Sequence, residues 1–288
     1  MISLQAAGLG IAAEGFDTPL FRQRTKEYAQ KVEQPQLRIS CEIRKELSKP
    51  EGIEIAAQGE RHWLKSGSGY AFYDSIPVEG REQIIASVSA NRDWSCVTAE
   101  LWDVEPLGGA SLEVRNFNLL GEVFRWFLPF HEGMVFHSSC LRCNGKAMAF
   151  SAPSGTGKST HTGLWREYFP GVEMINDDSP AIRFSDGRMI AYGTPWSGKS
   201  DINHNISAPL EAIVFLEQAK ENSLCSLSGK EAVFRLLREL ARPVYPELLQ
   251  MTLAFLEQML GAVPAYLLKC NISREAAELS HSLLEVVK

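Results

Sequence analysis

Residues Phe150–Thr160 read FSAPSGTGKST. From Ala152 to Ser159 the run has the GxxxxGK[ST] spacing of a phosphate-binding loop, with Ala152 in place of the first glycine. Gly155 and Gly157 allow successive backbone N–H groups to turn into one concavity. A helix starting there offers an anion its unpaired amide donors and a partial positive charge. Ser154, Gly155, Thr156, Gly157, Lys158, Ser159 and Thr160 are therefore the candidate nucleotide-binding residues. Lys158 can reach the β- and γ-phosphates as a point charge, and the Ser159 hydroxyl is placed as a Mg²⁺ ligand. The extra methyl of Ala152 does not exclude phosphate. The structural alternative is a glycine-rich strand-to-helix turn without a ligand.

Asp177, nineteen positions after Lys158, stands in Asn176-Asp177-Asp178, which closes the short apolar stretch Val172–Ile175. One carboxylate at such a strand end can hold Mg²⁺, and the other can take the proton of an attacking hydroxyl. Two adjacent acids also raise one apparent pKa unless a cation neutralises them. An Asx turn into Ser179-Pro180 is the structural alternative. Gly193–Lys199 (GTPWSGK) reads as a loop whose Lys199 can offset charge on a transferring phosphoryl group. Trp196 is expected to plug the core, and Asp201, Asn203 and His204 are candidates for substrate contact. His161 and Arg166 are expected on exposed faces of the helix after the loop, while Leu236, Leu237 and Leu240 are expected in the core.

SGTGKST followed by the paired acids resembles the nucleotide-binding core shared by HPr kinase/phosphorylase and phosphoenolpyruvate carboxykinase. Ser154–Ser159 match the second part of the HPr kinase loop GxSGxGKS, and Asp177-Asp178 match its paired Asp. His137, 21 positions before Lys158, matches its upstream histidine. The resemblance implies that His137 contacts Asp177 and tunes it as base and acid. It implies that Asp178 helps with the metal, that ATP and Mg²⁺ are the cofactors, and that the protein forms a homo-oligomer. It also implies an α/β fold with an α+β tendency, in which a mixed sheet carries the loop. Thr160 stands where HPr kinase has Glu, as in the carboxykinase GKTT, and Ser138 stands where it has Gly. The segment with which that family recognises its protein substrate has no recognisable counterpart. The resemblance spans roughly residues 134–270, and residues 1–115 resemble no named family.

Elements of both kinds must position these groups. Met134–Arg142 and Lys146–Phe150 read as paired strands joined by Asn144-Gly145, a preferred two-residue hairpin turn. Thr160–Phe169 reads as a helix, Ala181–Tyr192 as a hairpin turning at Ser185–Arg188, and Leu210–Leu216 as a buried strand. Lys230–Ala241, Pro246–Leu260 and Arg274–Val287 read as helices, with Ala265–Lys269 a late strand. Upstream, Leu37–Ile43, Ile53–Ala57, Tyr70–Tyr73, Ile84–Val88 and Trp94–Trp102 alternate like strands. Gly67-Ser68-Gly69 is a turn, and Pro19–Lys31 and Phe117–Phe130 have helical spacing. The expected organisation is a strand-rich region at 1–115 and a catalytic domain at 116–288.

The chain has 288 residues, 45% of them hydrophobic, which argues against disorder. Its net charge of −6 and lack of a basic block argue against nucleic acid as partner. No apolar run suits a membrane span. Met1–Gly15 lacks a basic segment and carries Glu14, so no signal peptide is expected and the location is expected to be cytoplasmic. Six cysteines are too sparse for a disulfide framework, and Cys140 and Cys143 are expected to be plain buried residues. The expected activity is ATP-dependent phosphoryl transfer to a hydroxyl, either a Ser of a protein or peptide or a small molecule. One alternative is a phosphate-loop small-molecule kinase or NTPase with an all-parallel sheet. The other is a nucleotide-binding regulatory module without turnover.

Overall fold

In the computed structural model, which describes residues 1–67, 69–240 and 243–286, each part of the chain builds its own mixed β-sheet. Ser68 of the expected Gly67–Gly69 turn lies outside the described residues, as do Ala241 and Val287 at expected helix ends. Two compact units result, Met1–Phe130 and His131–Lys288.

The first unit contains β1 (Ile2–Ala6), β2 (Leu9–Glu14), α1 (Pro19–Arg24), β3 (Leu37–Arg44), β4 (Ile53–Gln58), β5 (Arg61–Lys65), β6 (Gly69–Val78), β7 (Arg81–Asn91), β8 (Cys96–Trp102) and α2 (Leu112–Phe127). Its sheet runs β1-β2-β3-β8-β7-β6-β5-β4. The β2–β3 and β3–β8 pairs are parallel and the others antiparallel. Period-2 patterning decides which side faces in: Leu37, Ile39 and Cys41 are buried while Arg38 and Glu42 are exposed. Helix α2 begins at the Ser111 cap and buries Phe117, Leu120, Val123, Phe124 and Phe127 on one stripe. The expected division at 115/116 falls inside this helix, whereas the two units meet at 130/131. The helix expected over 19–31 stops at Arg24, because the chain then turns to bridge Ala29 to Leu4 of β1. Trp94 is not part of the expected strand; it occupies the preceding turn at φ 57° with its ring buried.

The second unit contains β9 (Gly133–Val135), β10 (Ser139–Cys143), β11 (Lys146–Ser151), α3 (Lys158–Tyr168), β12 (Val172–Asn176), β13 (Ala181–Ser185), β14 (Arg188–Tyr192), β15 (Ser207–Gln218), β16 (Ser223–Ser226), α4 (Gly229–Glu239), α5 (Pro246–Ala262), β17 (Ala265–Cys270), α6 (Arg274–His281) and α7 (Leu283–Val286). Its sheet runs β12-β10-β11-β15-β14-β13-β9, with β17 on β15 and β16 on β17. β11, β15 and β17 are mutually parallel neighbours, and the remaining pairs are antiparallel. The all-parallel sheet of the first alternative is therefore not the one this chain forms. The Asn144-Gly145 turn has both residues at positive φ, 52° and 77°, as a two-residue hairpin of the right twist requires.

The single strand expected over Met134–Arg142 is instead two. Residues 136–138 leave the ladder, and β9 and β10 join different neighbours, β13 and β11. Two apolar clusters hold the sheet, one around Phe136, Ile213, Leu236 and Leu256, the other around Phe150, Trp165, Val214 and Leu268. Cys140 and Cys143 are buried in β10. No helix among the described residues is long and apolar enough to cross a membrane.

Candidate functional site

Strands β11, β15 and β17 end at Ser151, Gln218 and Cys270, side by side. Ligands of parallel sheets collect beyond such carboxyl ends, where loops diverge and helix N-termini point inward. The glycine loop leaves β11 at this edge. Thr156 N–H closes a turn onto the Pro153 carbonyl at 3.1 Å, and the Gln218 side chain donates to the Thr156 carbonyl at 3.1 Å. Gly155 at φ 80° and Gly157 at φ 115° take backbone conformations that L side chains rarely adopt. Helix α3 starts immediately afterwards, two residues earlier than expected, and its N-cap Gly157 gives no side-chain bond to the first amides. Those donors stay available to a ligand. Ser154, Gly155, Ser159 and Thr160 are exposed, so the loop is open to solvent.

Two clefts flank the loop. One, of about 510 Å³, runs along Gly155–Gly157 and Thr160 to the ends of β15 and β17, with Leu164, Leu216 and Ile272 as apolar wall. The other, of about 550 Å³, runs from Ser151–Thr156 to Arg235, Arg238 and Glu239 of α4.

Lys158 is 8% exposed, and its ammonium folds back under the loop. Nζ donates to the Ala152 carbonyl at 2.7 Å and lies 3.1 Å from His137 Nε2. Burial pushes its pKa down, against the carboxylates of Glu239 and Asp178. His137 occupies the 136–138 link, which is tied to the acidic turn on both sides. Phe136 N–H donates to the Pro180 carbonyl and Ser138 N–H to the Asp178 carbonyl, each at 3.0 Å. Ser151 Oγ holds the His137 carbonyl at 3.1 Å. The break in the expected strand is thus what carries the histidine to the loop.

The histidine meets Asp178, with Nε2 to Oδ1 at 3.4 Å, rather than Asp177 as the resemblance implied. The pairing holds Asp178 below the usual carboxylate range and lifts His137 above its ordinary value against burial. Asp177 turns the other way. Its backbone N–H bonds the Ile202 carbonyl, and its Oδ1 accepts from Gly198 N–H at 2.7 Å. Burial raises its pKa, opposed by that amide and reinforced by the charge of Asp178. The chain bends at both residues, and each carboxylate follows its own partner, the Gly198 amide for Asp177 and His137 for Asp178.

Asn176 holds both loops. Its Oδ1 accepts from the amides of Asp178 and Ser179 at 2.8 and 2.7 Å, an Asx turn, while its Nδ2 donates to the carbonyls of Thr194 and Trp196 at 3.0 and 2.9 Å. The Asx turn and the paired acids are one structure, not alternatives. Lys199 is exposed, one residue beyond the amide that holds Asp177. Trp196 is half-buried. Ser197 Oγ donates to Asp201 at 3.1 Å and accepts from Asn203 Nδ2 at 2.9 Å, so these residues brace their own loop. His204 N–H bonds the Ile175 carbonyl at 3.0 Å.

His161 is buried rather than exposed. Its Nε2 lies 2.9 Å from Ser280 Oγ, and burial depresses its pKa to about 4. The residue that sequence reasoning missed is Glu239, whose Oε2 lies 2.9 Å from His137 Nδ1. Its signal was present, because Ala232, Leu236 and Glu239 share one helical stripe and the third is charged.

No protein-family model matches the chain, and no curated protein matches it. Among solved structures it is similar to the HPr(Ser) kinase/phosphatase from Coxiella burnetii, at 13% identity over 53% of this chain and 88% of that chain, with a TM-score of 0.33.

Proposed function

We propose that the second unit is an ATP-dependent, Mg²⁺-requiring phosphotransferase acting on a hydroxyl. One observation carries the proposal: an open glycine loop with an uncapped helix N-terminus has Lys158, His137 and Asp178 gathered directly beneath it. Uncapped amides and a buried lysine are the donor set that a polyphosphate requires. Among the described residues no three His, Cys, Asp or Glu side chains gather into a metal site. That fits Mg²⁺ brought in on nucleotide phosphates with one or two protein ligands.

In this reading Lys158 and the amides of residues 154–160 hold the β- and γ-phosphates, and Ser159 and Asp178 are the protein ligands of the metal. When bound, Mg²⁺ neutralises phosphate charge. His137 steadies Asp178. Asp177 takes the acceptor's proton, which suits its raised pKa. The acceptor oxygen forms its bond to the γ-phosphorus as the bridging bond to ADP breaks. Lys199 offsets the developing charge from the loop beside Asp177. The acceptor is a Ser of a protein or peptide, or a small molecule. The first unit contributes acceptor binding or the contact of a homo-oligomer.

The test incubates the protein with γ-labelled ATP and fractionated cell extract. Label transfer that disappears in Asp177→Asn, with ATP still bound, supports the proposal. Tight ATP binding by the wild type with neither transfer nor hydrolysis refutes it and leaves a regulatory module.

A further inference from the structure

We infer that Glu239 is a positioning residue that fixes which nitrogen of His137 carries hydrogen, and so what that ring presents to Lys158 and Asp178. The inference rests on the phosphotransfer reading for its kinetic consequence only.

Glu239 ends α4 on the stripe that buries Ala232 and Leu236, and its side chain is 11% exposed. A carboxylate carried inward on the core-facing side of a helix is costly unless a hydrogen-bonded partner compensates it. The partner is His137 Nδ1 at 2.9 Å. The other acid of this helix, Glu231, is taken up in the capping box with Ser228.

Donor and acceptor types then decide the tautomer. An ionised carboxylate only accepts, so Nδ1 must carry its hydrogen toward Glu239. An ammonium only donates, so Nε2, 3.1 Å from Lys158 Nζ, must present its lone pair. Glu239 and Lys158 both select the Nδ1–H form of the neutral ring, whereas Asp178 draws a second hydrogen onto Nε2 when the ring is protonated. A flip of the ring would set Cδ2–H against the carboxylate and Cε1–H against the ammonium, so both contacts oppose it. Asp178 Oδ1, 3.4 Å from Nε2, faces the same edge of the ring. Among the described residues, these three side chains are the charged groups against the imidazole.

Two measurements on the full chain test this. First, ¹⁵N-histidine spectra are recorded on the ligand-free wild type, alkaline of the His137 titration, with His137→Asn assigning the resonance. A pyrrole-type Nδ1 with a pyridine-type Nε2 is expected. The reverse pattern overturns the inference whether or not the protein turns over. Second, Glu239→Leu and Glu239→Gln are compared in label transfer. The Leu variant is expected to lose about 10- to 100-fold in kcat with KM for ATP within about threefold, the scale of losing an outer partner of a site histidine. The Gln variant, whose carbonyl still accepts from Nδ1, is expected to recover most of that loss. Unchanged kcat in the Leu variant, or equal losses in both variants, overturns the inference. A wild type without transfer, together with the expected spectrum, refutes the phosphotransfer reading and leaves the positioning role standing.

Discussion

The helix that presents the glycine loop is fastened by a buried histidine, and pH should loosen that fastening by a calculable amount. His161 closes the first turn of α3, with its backbone N–H on the Gly157 carbonyl at 2.9 Å. Its ring packs on Phe150 at 4.9 Å between centroids, and its Nε2 lies 2.9 Å from Ser280 Oγ on α6. Ser280 also accepts from Trp165 Nε1 at 2.8 Å while donating to the Ala277 carbonyl at 3.0 Å. Every hydroxyl function of Ser280 is in use, and nothing in this arrangement welcomes a charge. Burial accordingly depresses the His161 pKa from 6.5 to about 4. As pH falls through 6.5 the unfolded chain binds a proton that the folded chain refuses, so stability is lost, and the loss levels off below about pH 4. The full loss is about 3 kcal/mol, and about 2 kcal/mol of it is reached by pH 5. Urea unfolding of wild type and His161→Gln at pH 7.5 and pH 5, followed by circular dichroism, measures it. The wild type should lose about 2 kcal/mol more than the variant between the two pH values. Losses equal within about 0.5 kcal/mol would mean that His161 is not held neutral by burial.

Two substitutions probe the loops around the acids. Asn176→Ala strips partners from two amides and two carbonyls at a wholly buried position and should cost about 3–5 kcal/mol, read by urea unfolding; a loss below about 1 kcal/mol would show that water replaces the side chain. Gly157→Ala adds a methyl in open space but at φ 115°, so it should cost only about 1–2 kcal/mol of stability while weakening ATP binding more than tenfold, measured by calorimetry.

The elements that sequence periodicity revealed are those whose sides differ in polarity. β3 alternates, α2 repeats at helical spacing, and the 143–146 hairpin announces itself through Asn-Gly. What stayed illegible was decided by partners far along the chain. Residues 19–31 carry helical spacing, but the pairing of Ala29 with Leu4 ends the helix early. Residues 134–142 read as one strand because Phe136 is as apolar as its neighbours, and no local pattern tells a core residue in a ladder from one in a crossing link. Hydrogen bonds to Asp178 and Pro180 make that distinction, and they exist only once the fold has formed.

The same division runs through the site. The glycine loop was legible because its chemistry is local: two glycines, a lysine and a hydroxyl within a few residues. The partnership of His137 was not, since spacing from Lys158 fixes no contact with either acid. The bend after Asn176 gives Asp177 and Asp178 different partners, and their surroundings move their pKa values apart, Asp177 up by burial and Asp178 down by its histidine. Identical side chains one residue apart thereby acquire opposite shifts in acidity. Asn176 makes the separation rigid, because one amide group holds the backbone of the Asp178 turn and that of the loop whose Gly198 binds Asp177. The sequence shows NDD as a run of three polar residues; what matters chemically is that the first of them is buried and bonded at both ends of its amide.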